Sequence, residues 1–152
     1  MNRSGERRQR GQAMVEFSLA IVIFLALMMG VFDLGRAIFQ YNGVAQAARE
    51  IARVTAAHPG ADFTVSTGWS AETLAVIATQ KKLIPNLQDP TIKCVEIDGS
   101  LYIDPDTGLP KHCEEGYWIN VRIESPYTPV TPLLGLVGTW DLFSASTSVQ
   151  LQ

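Results

Sequence analysis

An acidic residue at the edge of an apolar segment is the feature of this sequence with the clearest chemical consequence. Glu16 directly precedes a run, residues 17–32, in which Ser18 is the single polar side chain. A carboxylate at membrane depth costs about 2–3 kcal/mol even on lenient insertion scales, so it usually has a partner. If the chain is cut between Gly11 and Gln12, the new α-amino group lies one helical turn from Glu16. Amine and carboxylate would offset each other's desolvation when neighbouring helices pack in one axial register.

The apolar run is long enough to cross a bilayer. With residues 13–15 upstream and Leu34 downstream it reaches about 20 residues, which as a helix covers roughly 30 Å of hydrocarbon. Residues 1–11 hold four arginines and one glutamate, a charge of +3, whereas residues 12–152 hold eight basic and fourteen acidic residues, a charge of −6. Basic residues before the run place the N-terminus in the cytoplasm and the remainder outside. The acidic body argues against nucleic-acid binding, which needs a basic surface.

Two simpler interpretations of this segment compete with a cut at Gly11. A secretory signal peptide has small residues at a cleavage site after its apolar run, and residues 28–33 contain no good site of that kind. A plain uncleaved anchor is favoured by hydropathy alone. Glu16 argues against that anchor, because an anchor gains nothing from a carboxylate at its edge.

The sequence of residues 10–17, RGQAMVEF, resembles the prepilin processing motif of type IV pilins and pseudopilins. The likeness is closer to the TadE-like branch, which belongs to tight-adherence pilus assembly. That branch shows D-x-G-R after the apolar run, as residues 33–36 do, and then A-A-R-E-x-A-R, as residues 47–53 do. The resemblance extends over residues 10–57 and touches residues 131–136 near the end of the chain.

The resemblance implies a minor pilin or pseudopilin of a tight-adherence type IV pilus, acting in pilus assembly, adherence or secretion. A prepilin peptidase would cleave after Gly11, and Glu16 and Phe17 would serve in processing and assembly. Further expected partners are the major pilin, other minor pilins, the inner-membrane assembly platform and membrane lipid. The chain would be a single-pass protein of the bacterial inner membrane, with incorporation into the pilus as one outcome. An uncleaved, membrane-anchored binding protein with an extracytoplasmic domain remains the alternative.

Two charges mark the outer end of the run. Asp33 and Arg36 are three residues apart, so they can pair across one helical turn. One interpretation is that they are interfacial charges at the point where the helix leaves the membrane. The other is that they contact an assembly partner.

The helix is predicted to continue beyond the membrane, from residue 12 to residue 57, because the first proline is Pro59. Continuous, it would be about 69 Å long. Its outer half carries an apolar seam at spacings of three and four, formed by Ile38, Tyr41, Ala45, Ala48 and Ala52. This seam could pack on the chain's own domain or on a neighbouring subunit.

Residues 58–152 are predicted to form an extracytoplasmic domain. Ser70 is a suitable N-cap for a helix that runs to about Leu83, with an apolar face of Leu74, Ile77 and Ala78. Period-two alternation then predicts strands, over residues 92–97, 118–124 and 144–152. Asp98-Gly99 is a turn signal that would join the first strand to residues 101–103. Together with the long N-terminal helix this is an α+β, pilin-like fold, preceded by a basic leader at residues 1–11.

The two cysteines, Cys94 and Cys113, are expected to form a disulfide in an oxidising compartment. Closing that loop would stabilise the domain by roughly 3 kcal/mol in the chain-entropy model. His112 adjoins Cys113, but without a clustered second pair of ligands zinc is not expected.

Other chemistry is not expected either. Asp104 and Asp106, with Glu114 and Glu115 nearby, are interpreted as a solvated acidic turn rather than a calcium loop. The sequence shows no glycine-rich phosphate loop and no triad of nucleophile, base and acid. We therefore expect a protein that is not an enzyme and needs no cofactor or metal.

Overall fold

The computed structural model describes residues 3–58, 60, 62–63, 65–106, 108, 113, 116–131, 138 and 144–150, with the backbone alone at residues 3–10 and at parts of the last strand. In chain order it has helix α1 (Arg3–Ala57), a 3₁₀ turn (Ser66–Gly68), helix α2 (Ala71–Leu83) and strands β1 (Thr91–Val95), β2 (Trp118–Glu124) and β3 (Ser144–Gln150). This confirms the predicted α+β layout.

The chain forms two compact units. The first unit comprises Met1–Arg36 and Thr128–Gly138, and the second comprises Ala37–Tyr127 and Thr139–Gln152. Each unit consists of two separate stretches of sequence, and helix α1 contributes to both units.

In the first unit α1 presents apolar side chains without protein cover. From Gly11 to Ala57 the helix is long and apolar enough to cross a membrane, and its most apolar window is not buried in the protein at all. Phe17, Leu27 and Phe32 are each about two-thirds exposed. So continuous an apolar surface fits a membrane anchor or packing among other helices.

In the second unit the outer half of α1 forms one side of the core. Its buried residues follow the helical period closely: Val44, Ala47, Ala48, Ile51, Ala52, Thr55 and Ala56. The stripe packs on the chain's own domain, which is one of the two alternatives for the predicted seam. Ile38 and Tyr41 of the predicted seam are about half exposed, because the stripe that packs on the domain begins farther along the helix, at Val44. For these two residues, packing on a neighbouring subunit stays a prediction.

Helix α2 begins and ends as predicted, but its buried face is rotated by one residue. The Ser70 hydroxyl oxygen accepts a hydrogen bond from the backbone nitrogen of Thr73 at 3.2 Å, an N-cap bond. Thr73 and Ile77 are buried, whereas the predicted face residues Leu74 and Ala78 are exposed. The Thr73 hydroxyl lies 3.2 Å from that of Thr55 on α1, so the polar residue on the buried face of α2 has a hydrogen-bonding partner.

The three strands form an antiparallel sheet in the order β1-β2-β3. Alternate residues of β1 and β2 are buried against the helices, and they complete the core of the second unit: Ile92, Cys94, Ile119, Val121 and Ile123. The predicted turn is present, with Gly99 at a φ of 85°, a left-handed conformation that glycine adopts readily. The return segment makes one isolated bridge, Val95 to Leu101, rather than the expected strand.

A polar junction ties the start of the second unit's helix to its loops. The Gln40 side-chain nitrogen donates to the Ser125 hydroxyl oxygen at 2.6 Å, and that hydroxyl donates to the Pro85 carbonyl at 2.9 Å. Ser125 is almost fully buried. Each polar group therefore has the partner that burial demands.

Candidate processing and assembly site

The predicted cleavage bond lies inside α1 and not at its beginning. The helix starts at Arg3, eight residues before Gly11. Glycine costs about 1 kcal/mol relative to alanine in a helix interior, and basic residues in the first turns of a helix are disfavoured by its dipole. The leader is basic, with four arginines. Both effects lower the stability of the helix around the proposed cut.

One helical turn separates the proposed new N-terminus from the carboxylate. The Gln12 side-chain nitrogen donates to Glu16 Oε1 at 3.2 Å, so the two residues face the same side of α1. Both are exposed. Gln12 and Glu16 are therefore hydrogen-bonded in the intact chain. After a cut at Gly11, the new α-amino group of Gln12 would lie near the same carboxylate.

The residues around Glu16 leave its surface available to another helix. Met14 is 74% exposed and Phe17 68% exposed. Ser18 directs its hydroxyl back to the Met14 carbonyl at 2.7 Å, which satisfies it within the helix. What remains on this part of α1 is an apolar surface with one carboxylate, suited to packing against a helix that supplies a cation.

Asp33 has a well-defined environment in the first unit. It is 1% exposed, the one residue from Gly11 to Arg36 in the buried class. Its Oδ1 accepts from the backbone nitrogen of Val130 at 3.2 Å, and its Oδ2 from the backbone nitrogen of Thr131 at 3.2 Å and from the Thr131 hydroxyl. These donors converge on one carboxylate, which offsets the cost of burying it.

We call this arrangement of Asp33, Val130 and Thr131 the Asp33 clasp. Asp33 stands out in the sequence, but its hydrogen bonds to Val130 and Thr131, nearly a hundred residues away, were not predicted. The sequence signal nearest to them is the resemblance of residues 131–136 to TadE-type endings, which includes Thr131. Arg36, the other predicted interfacial charge, lies one turn farther along α1 and is exposed.

The disulfide joins Cys94 on β1 to Cys113 in the segment before β2, with 5.6 Å between the two Cα atoms. Cys94 is 2% exposed. The link therefore connects the sheet core to a segment that has little regular structure among its described residues.

The acidic turn at Asp104 and Asp106 is held by a hydrogen bond between a side chain and the backbone of the turn itself. Asp104 Oδ1 accepts from the backbone nitrogen of Asp106 at 2.9 Å, a bond typical of an Asx turn. Within the described part of the chain no group of three or more histidine, cysteine, aspartate or glutamate residues is placed to hold a metal ion. Glu114, Glu115 and His112 lie outside the described residues.

Residues 11–53 match the family model described as TadE-like protein. This confirms the resemblance found in the sequence and covers the predicted cleavage position, Glu16, the apolar run and Asp33. The matched segment is similar to TadE-like proteins, which are associated with tight-adherence pili. Neither the curated proteins nor the solved structures yield a match.

Proposed function

From the TadE-like match over residues 11–53, we propose that this chain is a minor pilin or pseudopilin of a tight-adherence type IV pilus. A prepilin peptidase cleaves it after Gly11, and the mature protein begins at Gln12. It resides in the bacterial inner membrane as a single-pass protein with its second unit outside the cytoplasm. From there it joins the major pilin and other minor pilins at the assembly platform.

The single observation that carries the proposal is the placement of Gln12 and Glu16 on one face of an uncovered apolar helix, 3.2 Å apart through their side chains. After cleavage the α-ammonium group of Gln12 stands at a helix N-terminus, where the helix dipole disfavours a positive charge. The Glu16 carboxylate, on its own or a neighbouring helix, offsets that charge. Because the attraction depends on close approach, it favours one axial register of packed helices.

The position of the cut is the first test. Intact-mass measurement of the membrane-fraction protein should give a chain that begins at Gln12 in cells with the peptidase and at Met1 in cells without it. A chain beginning at Met1 in both would contradict the cleavage and favour the uncleaved anchored binding protein.

The role of Glu16 is tested by Glu16→Gln, which keeps the length of the side chain and an acceptor for Gln12 but removes the charge. We expect the variant to reach the membrane at normal levels and to fail in pilus assembly. Ser18→Ala is the matched control, since that hydroxyl bonds only within its own helix among the contacts of the described chain. Normal assembly with Glu16→Gln would refute the registration role.

A further inference from the structure

One edge of the three-stranded sheet is only partly covered. Strand β1 lies at that edge, since the strand order is β1-β2-β3. On its outer side the backbone nitrogen of Tyr102 donates to the carbonyl oxygen of Cys94 at 3.0 Å. The backbone groups of alternate residues in a strand point to the same side, so those of Ile92 point outward as well. Within the described part of the chain, no backbone group from outside the sheet is hydrogen-bonded to Ile92.

A cavity of about 330 Å³ follows this uncovered edge, and it is lined by every residue from 90 to 94. Successive side chains of a strand point to opposite faces, so a cavity that touches all of these residues lies along the edge of β1 and not on one face. Its other described walls are apolar: Phe63, Trp69 and Leu101. A second cavity, of about 500 Å³, lies on the outer face of β1 and β2 and shares Lys93 and Leu101 with the first.

Two side chains at these cavities show which chemistry a ligand has to offer. Trp69 Nε1 is buried and has no hydrogen-bond acceptor, a state that costs free energy until an acceptor is supplied. Lys93 is exposed and, among the described residues, forms no ion pair. A ligand that matches this edge therefore carries backbone donors and acceptors at the spacing of a strand, a carbonyl oxygen for the indole and a carboxylate for the lysine.

We propose that β1 accepts an extended acidic peptide segment of another protein chain as an additional strand along residues 91–93. Peptides that add to a sheet edge gain affinity from main-chain hydrogen bonds and specificity from pockets for alternate side chains. The cavity along the edge receives the side chains on the core side, and the second cavity receives those on the outer face. A peptide carboxylate pairs with Lys93, and a peptide carbonyl oxygen accepts from Trp69 Nε1. This inference concerns the second unit alone and does not rest on the proposed function.

The test uses the full chain in detergent micelles, labelled with nitrogen-15, and three synthetic peptides with blocked ends. The first alternates valine and threonine around one central glutamate, the second has lysine in place of the glutamate, and the third is the glutamate peptide with N-methylated amides that cannot donate. We expect the glutamate peptide to protect the Ile92 amide from hydrogen exchange and to shift the indole N–H signal of Trp69. The lysine peptide should bind about fivefold more weakly, and the N-methylated peptide should produce neither effect.

Three variants separate the parts of the site. Lys93→Glu should reverse the preference between the glutamate and lysine peptides. Lys82→Glu is the matched control, because it makes the same charge change at an exposed position of α2 that lines neither cavity. Trp69→Phe keeps an aromatic wall but removes the indole N–H, and it should weaken binding of the glutamate peptide by about fivefold.

Each other outcome overturns the inference. Slow exchange of the Ile92 amide in the free protein would mean that the edge is already paired. Absence of binding by the glutamate peptide, or equal binding of all three peptides, would show that β1 does not accept a strand. An unchanged preference in Lys93→Glu would remove the acidic partner. None of these results bears on the mature N-terminus or on Glu16, so the proposed function would stand.

Discussion

Breaking the link between Cys94 and Cys113 gives a measurable prediction about the second unit. The cysteines are 19 residues apart in sequence. In the chain-entropy model, opening a loop of this length costs about 3 kcal/mol of stability at 25 °C, because the unfolded chain regains the freedom that the cross-link removed. A domain of this size has a stability of about 5–15 kcal/mol. Reduction should therefore weaken the unit severely without abolishing the fold outright.

The assay is urea unfolding of the full chain in detergent micelles, followed by tryptophan fluorescence with and without reductant. Trp69 and Trp118 lie half-buried in the second unit and report its unfolding. With a urea dependence of about 1–3 kcal/mol per molar, a loss of 3 kcal/mol lowers the midpoint by roughly 1–3 M.

The matched control is the double variant Cys94→Ala and Cys113→Ala, whose midpoint should be low and insensitive to reductant. Equal midpoints for the native chain in oxidising and reducing conditions would refute the reasoning. They would mean that the segment around Cys113 is held in place by packing alone, or that the loop is already restricted in the unfolded chain.

Two further predictions concern single side chains of the second unit. Ser70→Ala removes the N-cap of α2 and should cost about 0.5–2 kcal/mol in urea unfolding, whereas Thr79→Ala on the exposed face of the same helix should cost nothing; equal losses would contradict the cap. The hydrogen bonds from Arg53, which outweigh the opposing effect of partial burial, lower the pKa of Glu50. A pKa lower in the folded than in the unfolded chain gives stability that is present above the unfolded value and is lost as the pH falls through the folded one. In an NMR titration Arg53→Gln should raise the Glu50 pKa toward its ordinary value, and an unchanged midpoint would contradict this cause.

The elements that were predicted well are those whose signals are local. The Ser70 cap, the end of α1 before Pro59 and the alternation of β2 depend on neighbours a few residues away, and the structure places these boundaries as expected. The proposed processing motif is also local, since Gln12 and Glu16 are one turn apart, but cleavage at this motif stays a prediction.

What the sequence did not reveal depends on distant contacts. Helical periodicity gives the spacing of a buried stripe but not its rotation, so the sequence did not show that Val44 is buried in the domain core while Ile38 is exposed. Thr73 was overlooked because a polar residue is buried only when a partner is supplied, here by Thr55. The partners of Asp33 lie 97 and 98 residues along the chain, beyond the reach of any spacing rule.

Helix α1 has a consequence for anyone who wants a water-soluble fragment of this protein. The same helix that carries the apolar run also supplies, from Val44 to Ala56, one wall of the second unit's core. A fragment that starts at His58 would expose the opposite wall of that core and should aggregate, even though it retains α2 and all three strands. A fragment that starts at Ala37, where the second unit begins, retains the core residues of α1 and lacks the apolar run.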